Sequence, residues 1–194
     1  MSVSGATTSV VDSRDIIRKV YFPKEIIPFS IVASNCFNFL IALLLMIVGV
    51  VLKRIWAGET EMITISYLYL PLLFILTVLL AAGVGLLTSC AQVYFRDVRY
   101  LVEIGLLIWF YSSPVFYQIS MVKQCSEKAF RIYMLNPLAG LFTLYRSVFQ
   151  IGDPVSRYVA PVSLIATTTA TILIIFIVGY RLFIWKEREF VDLV

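Results

Sequence analysis

The sequence predicts an all-α membrane protein: about four transmembrane helices, a re-entrant or interfacial helical segment between the third and fourth, and an N-terminal amphipathic helix ahead of the first. Three observations carry this reading. Of 194 residues, 60% are hydrophobic and only 14% are charged, against about 25% charged in a typical soluble domain. Mean hydropathy is +0.92. The apolar residues also form long unbroken runs rather than alternating. In lipid the backbone must satisfy its own hydrogen bonds, so unbroken runs of this length mean helices.

Residues 1–25 read as a cytoplasmic segment, Ser/Thr-rich at first and then basic. Asp12 and Ser13 are good helix N-caps. After them Ile16, Ile17, Val20 and Tyr21 are expected on one helical face, with Arg14 and Arg18 on another. That describes a short amphipathic helix lying on the membrane surface. Pro23 ends it, because the residue before a proline avoids the helical region. Pro28 falls in the first turn of the next helix, where proline is tolerated. Such a segment serves as a basic juxtamembrane anchor, its commoner use, or as a docking helix for a cytoplasmic partner.

Residues 26–185 form the transmembrane domain, with spans expected at about 26–52, 66–93, 101–118 and 159–185. The first two spans are joined by the polar loop "KRIWAGETE". The second and third are joined by the tight charged turn "YFRDVRY", which contains Arg96 and Asp97. The third span is unusual. Its apolar core, 104–117, is short for a crossing and carries Pro114 after two serines, as a broken or re-entrant segment does. A re-entrant segment is expected over about 112–151, turning at Asn136-Pro137. Residues 186–194 are a cytoplasmic tail. Four crossings put both ends on one side. If that side is the cytoplasm, nine Lys/Arg lie inside and seven outside, the sign that the positive-inside rule requires.

Composition also removes function classes. The chain has no histidine, which eliminates the commonest general base and the commonest metal ligand. Cys36, Cys90 and Cys125 match no metal or redox spacing. No catalytic residue, metal or cofactor is expected. There is no G-x-x-x-x-G-K phosphate loop, and no long basic run with interleaved aromatics that would suit a nucleic acid. The loop cations face lipid headgroups instead. No acidic or basic residue lies at mid-depth in a span, where an ion-coupled carrier commonly needs one. Ala81, Gly85 and Ser89, and also Ser34, Asn38 and Ala42, recur every four residues and read as close helix packing. Trp109, Phe110, Tyr111, Phe116 and Tyr117 form a dense aromatic group. It is either an interfacial belt or a stacking path for sugar rings.

Five stretches in the same order, "IIRKVYFPKEIIP", "VYFRDVRYLVEIGL", "WFYSSPVFY", "LNPLAGLFTLYRS" and "EREFVDLV", resemble type-two ABC exporter permeases. The similarity is to the subfamily that moves O-antigen, capsule and teichoic-acid polymers, and it covers nearly the whole chain. Lys24 stands where the family often has arginine. The resemblance implies a multi-pass permease of the bacterial cytoplasmic (inner) membrane. It implies a separate ATP-binding ABC subunit, a second permease copy and a lipid-linked polysaccharide as partners. The loop Ser9–Phe22 would be the coupling helix receiving the ATPase stroke, through Ile16, Ile17, Arg18, Lys19, Tyr21 and Phe22. The region Ser112–Leu144 would be a re-entrant pair near the channel exit, turning at Pro114, Asn136 and Pro137. Family members have six spans, and this chain matches them from about the end of the second, so the first two spans are expected to be absent from it. Two other classes stay open: a permease of the same fold for a drug or lipid, and a non-transporting assembly subunit or truncated fragment.

Overall fold

The computed structural model describes residues 1–19, 22–57, 65–115, 133, 135–149, 162–187 and 189–190. Among these residues there are seven α-helices and no strand: α1 (Ser2–Asp12), α2 (Arg14–Lys19), α3 (Ile26–Ala57), α4 (Leu70–Tyr94), α5 (Val98–Ser112), α6 (Pro137–Phe149) and α7 (Val162–Lys186). A 3-10 turn, Ile65–Tyr69, leads into α4, and Pro71 sits in the first turn of that helix.

Helix α4 is the axis of the bundle, packed chiefly against α7 and α1 and also against α3 and α6. Small residues make this possible. A Cβ at Gly83 would lie 2.7 Å from Phe176 Cα, and a Cβ at Gly179 would meet the Gly83 carbonyl. The two glycines therefore set the α4–α7 crossing. On another face of α4, a Cβ at Gly85 would come 2.9 Å from Ala6 Cβ in α1. Close approach through small residues is how helices associate where lipid removes the hydrophobic drive.

Among the described residues, three helical segments are long and apolar enough to cross a membrane: Ile26–Trp56, Tyr67–Tyr94 and Ser163–Lys186, of 31, 28 and 24 residues. The helix in the region of the expected third span is α5, with 15 residues. That length rises about 22 Å, short of the ~30 Å hydrocarbon core. Helix α5 stops at Ser112 because Ser113, preceding Pro114, adopts φ −87° and ψ 152°, the extended form that proline imposes on its neighbour.

The contacts fix helix directions. Gly83 meets Phe176 and Gly179, Leu86 and Cys90 share a cluster with Phe183, and Tyr94 bonds Glu189 just beyond α7. Helices α4 and α7 thus run parallel. Helix α3 runs against them, with Val32 beside Ala82 and Phe39 stacked on Phe74 at 5.8 Å. The chain leaves α4 at one end of the bundle and enters α7 at the other. The end bearing Tyr94 and Lys186 is called inner here, following the charge bias. At the outer end, Leu141, Leu144, Val148 and Phe149 of α6 bury against Leu70, Leu73, Leu76 and Leu164 of α4 and α7.

Helix α1 is packed where a polar cytoplasmic segment was expected. Ala6, Thr7, Ser9 and Val10 are buried, and α1 lies inside the bundle against α4 and α3. Its two buried hydroxyls, on Thr7 and Ser9, are bonded within the protein. Thr7 Oγ1 donates to Val3 O at 2.7 Å, or to Thr88 Oγ1 at 2.8 Å, and Ser9 Oγ donates to Ala6 O at 2.7 Å. Ser13 is the C-cap of α1, and α2 starts directly after it.

Candidate functional site

The segment after α1 turns on Ser13, whose carbonyl accepts the Ile16 and Ile17 amides at 3.0 and 3.1 Å. The six residues of α2 then separate the two isoleucines, since adjacent helical positions are 100° apart. Ile17 is 5% exposed and Ile16 is 56% exposed. The expectation that both lie on one helical face is corrected: Ile17 is buried in the bundle and Ile16 is exposed. Asp15 and Lys19 are exposed beside Ile16. Of Arg18 the backbone is described but not the side chain, and Tyr21 lies outside the described residues. Phe22 is half-buried, packed on the cluster that holds Ile17.

That cluster joins four parts of the chain: Val10 of α1, Ile17 of α2, Leu86, Cys90 and Val93 of α4, and Phe183 of α7 with Phe190 of the tail. Phe190 is fully buried, its ring 5.2 Å from Phe183 in an edge-on arrangement. Polar contacts ring the cluster. Lys24 Nζ donates to the Glu187 carbonyl, and the Tyr94 hydroxyl donates to the Glu189 carboxylate. Lys186 Nζ meets Glu189 Oε1 at 2.8 Å and lies 4.6 Å over the Trp185 ring. The Lys186 ammonium, then the Tyr94 hydroxyl, hold the Glu189 carboxyl below the usual carboxylate range. Its contribution is therefore complete above the ordinary glutamate pKa of about 4.3 and is lost only as pH falls through that lowered value.

At the α4–α5 turn Arg96 and Asp97 are exposed. The Asp97 carbonyl accepts the Tyr100 and Leu101 amides at 3.1 and 3.3 Å, opening α5, and Gln92 Nε2 donates to Arg96 O at 2.9 Å. These contacts shape the turn.

At the outer end the aromatic residues divide. Trp109 is half-buried, and its Nε1 donates to Asn136 Oδ1 at 2.8 Å. Phe110 and Tyr111 are exposed and pair edge-on at 5.6 Å. Phe116 and Tyr117 lie outside the described residues. Helix α5 buries none of its residues, and Ile104, Leu107 and Ile108 are exposed along it with this pair. The turn residues do come together. Asn136 is the N-cap of α6: its Oδ1 also accepts the Leu138 amide at 3.1 Å, and Pro137 takes the first helical position, which suits its fixed φ. Pro114 and Pro137 are buried. Two bonds bind the end of α5 to this turn and to α6: Tyr133 OH donates to Ser112 O at 2.9 Å, and Arg146 Nη2 donates to Val115 O at 2.7 Å.

Sequence reasoning did not single out the tail residues Glu187, Glu189 and Phe190 or their partners Tyr94 and Lys186. The signal available was an aromatic closing a charged run, "KEREF", where a solvated tail needs none.

A model of the family described as ABC-2 type transporter matches residues 1–149. An O-antigen export system permease protein RfbA of Myxococcus xanthus is 29% identical over 148 residues, 76% of this chain and 54% of the relative. Its namesake in Klebsiella pneumoniae is 28% identical over 160 residues, 82% of this chain and 58% of the relative. The chain thus spans little more than half the length of the curated relatives it matches.

Proposed function

The chain belongs to the ABC-2 type transporter family, and from that premise we propose that it is the permease subunit of an exporter moving a lipid-linked polysaccharide across the bacterial cytoplasmic (inner) membrane. The relatives' printed role in O-antigen export supports that substrate class. Two permease copies pair with separate ATP-binding subunits. The membrane-embedded body is built on α3, α4 and α7, with α1 packed against α4 and α3. This chain makes or breaks no bond, and hydrolysis belongs to the partner. The observation that carries the reading is the division of α2: Ile16 presents an apolar surface outward while Ile17 is buried on α4 and α7. A push on the outer face of α2 reaches two long helices through one packed side chain. The exposed pair Phe110 and Tyr111 on α5 offers ring faces to sugar C–H groups, and the turn at Pro114, Asn136 and Pro137 lies toward the exit.

The test is capture of the ATP-binding subunit by the complete permease. An apolar anchor at an interface centre is worth about 2 kcal/mol or more, roughly thirtyfold in affinity. Ile16→Ala combined with Tyr21→Ala is expected to lower co-purification by at least tenfold and leave membrane insertion unchanged. Arg14→Ala acts at a rim, where charges mainly steer, and is expected to cost under threefold. Unchanged capture with the double variant would overturn the coupling role of α2. Altered topology in Arg14→Ala would identify a juxtamembrane anchor instead.

A further inference from the structure

The residues after the last span are where the bundle is closed, and the preceding proposal gives them no task. A tail that merely follows a span would leave its apolar side chain to solvent or lipid. Phe190 is instead fully buried, with its ring on Phe183 and its cluster extending to Ile17 in α2. The tail is also anchored from three directions. Lys24, between α2 and α3, bonds the Glu187 carbonyl. Tyr94, at the end of α4, bonds Glu189. Lys186, at the end of α7, pairs with Glu189 at 2.8 Å. The segment on which α2 sits therefore holds α3, α4 and α7 at once. Burying a phenylalanine removes a large apolar ring from water, whereas the exposed ion pair contributes little by itself. Phe190 is thus the residue that holds the clasp, and the polar contacts orient it.

We propose that Phe190 is a positioning residue for transport: the tail clasp it forms transmits displacement of α2 to α7, so that export depends on it while hydrolysis by the partner does not. This rests on the permease reading above. Without Phe190 the floor under Ile17 is open, and α2 moves without carrying α7. ATP is then hydrolysed with little polymer moved.

Two measurements on the complete permease in membranes separate the possibilities. The first needs neither ATPase nor polysaccharide. Cys90 is 9% exposed and belongs to the cluster, so it reports whether the clasp is shut. With Cys36 and Cys125 changed to serine, Phe190→Ala is expected to raise the rate at which N-ethylmaleimide modifies Cys90 by about tenfold. Phe190→Leu, which refills most of the volume, is expected to stay within about twofold of the parent. Cys90 remaining shielded in Phe190→Ala would overturn the clasp. The second measurement is polymer export and ATP hydrolysis in the assembled exporter. Phe190→Ala is expected to lower export at least tenfold with hydrolysis and subunit capture within twofold, and Phe190→Leu is expected to restore export. Export, hydrolysis and capture falling together would mean a merely structural role and overturn the proposal, as would normal export with Cys90 exposed. A parent chain that captures no ATPase and moves no glycan would remove the permease reading and the transmission role together, with the Cys90 rates still showing whether the clasp exists.

Discussion

Asn136 accepts two hydrogen bonds through one atom. Its Oδ1 takes the Trp109 Nε1–H at 2.8 Å and the Leu138 amide at 3.1 Å. One side chain thereby starts α6 and fastens α5 to it. The Asn-Pro pair was legible in the sequence as a turn, because asparagine caps and proline suits a first helical position. The tie to Trp109 was not, since it joins positions 27 apart and periodicity carries no information at that range. The tie also bears on the aromatic stretch: Trp109 is engaged by Asn136, while Phe110 and Tyr111 pair edge-on with each other. Losing an N-cap costs about 0.5–2 kcal/mol, and a hydrogen bond about 1 kcal/mol net. Asn136→Ala is therefore expected to destabilise the detergent-purified protein by about 2 kcal/mol. Trp109→Phe, which keeps an aromatic ring and loses only the N–H, is expected to cost about half of that. Asn136→Asp keeps the acceptor and is expected to remain near the parent in thermal unfolding. Equal losses for Asn136→Ala and Trp109→Phe would show that the cap contributes nothing.

Helices α3, α4 and α7 were visible in the sequence as long apolar runs, because a span must cover a fixed thickness with apolar side chains. Helix α1 was not. Its serines and threonines look like a solvated segment, yet each hydroxyl described above bonds a nearby carbonyl or a facing hydroxyl, so small polar side chains pack in the bundle. Hydropathy cannot separate the two cases; the small-residue row at Gly85 could have, by asking what fills the space beside it. The burial of Ile17 was likewise hidden, because the face of a six-residue helix is decided by what packs on it. Two glycines, Gly49 of α3 and Gly83 of α4, make the same point with energies attached. Alanine in a helix interior is favoured over glycine by about 1 kcal/mol. Gly49 has nothing within 4 Å of an added Cβ, so Gly49→Ala is expected to leave the melting temperature unchanged or raise it. At Gly83 the added carbon would sit 2.7 Å from the Phe176 backbone. Backbone cannot rotate away, and overpacking of this kind costs about 1–3 kcal/mol. Gly83→Ala is therefore expected to lower stability despite the helical gain. Equal melting temperatures for the two variants would mean that α4 and α7 cross elsewhere.

The whole molecule is organised by the parallel course of α4 and α7. Two parallel helices cannot be joined without a return, and the 15 residues of α5 are the part of that return described as a helix running from the inner turn at Asp97 to the outer turn at Asn136. A helix of about 22 Å is too short to span unaided. The tether of its end to α6, through Ser112, Val115 and Trp109, is what lets the connection reach the outer face. The bias of nine cations inside to seven outside is too slight to fix this arrangement, whereas helix directions do fix which turns share a side. Cys125 falls between Val115 and Asn136 in sequence, outside the described residues, and both neighbours belong to the outer end. It is therefore expected to react with a membrane-impermeant thiol reagent from the same side as Trp56→Cys, whose parent residue is 92% exposed at the far end of α3. Asp97→Cys, in a background without Cys125, is expected to react from the opposite side, in inverted vesicles. If the charge bias is read correctly, Cys125 and Trp56→Cys label in intact cells once any outer envelope is opened. Labelling of all three only in inverted vesicles would mean that α4, which lies between Trp56 and Asp97, does not cross. Cys125 sharing a side with Asp97→Cys, opposite Trp56→Cys, would mean that α5 turns back within the membrane and that some other segment of 116–161 carries the chain across to α7.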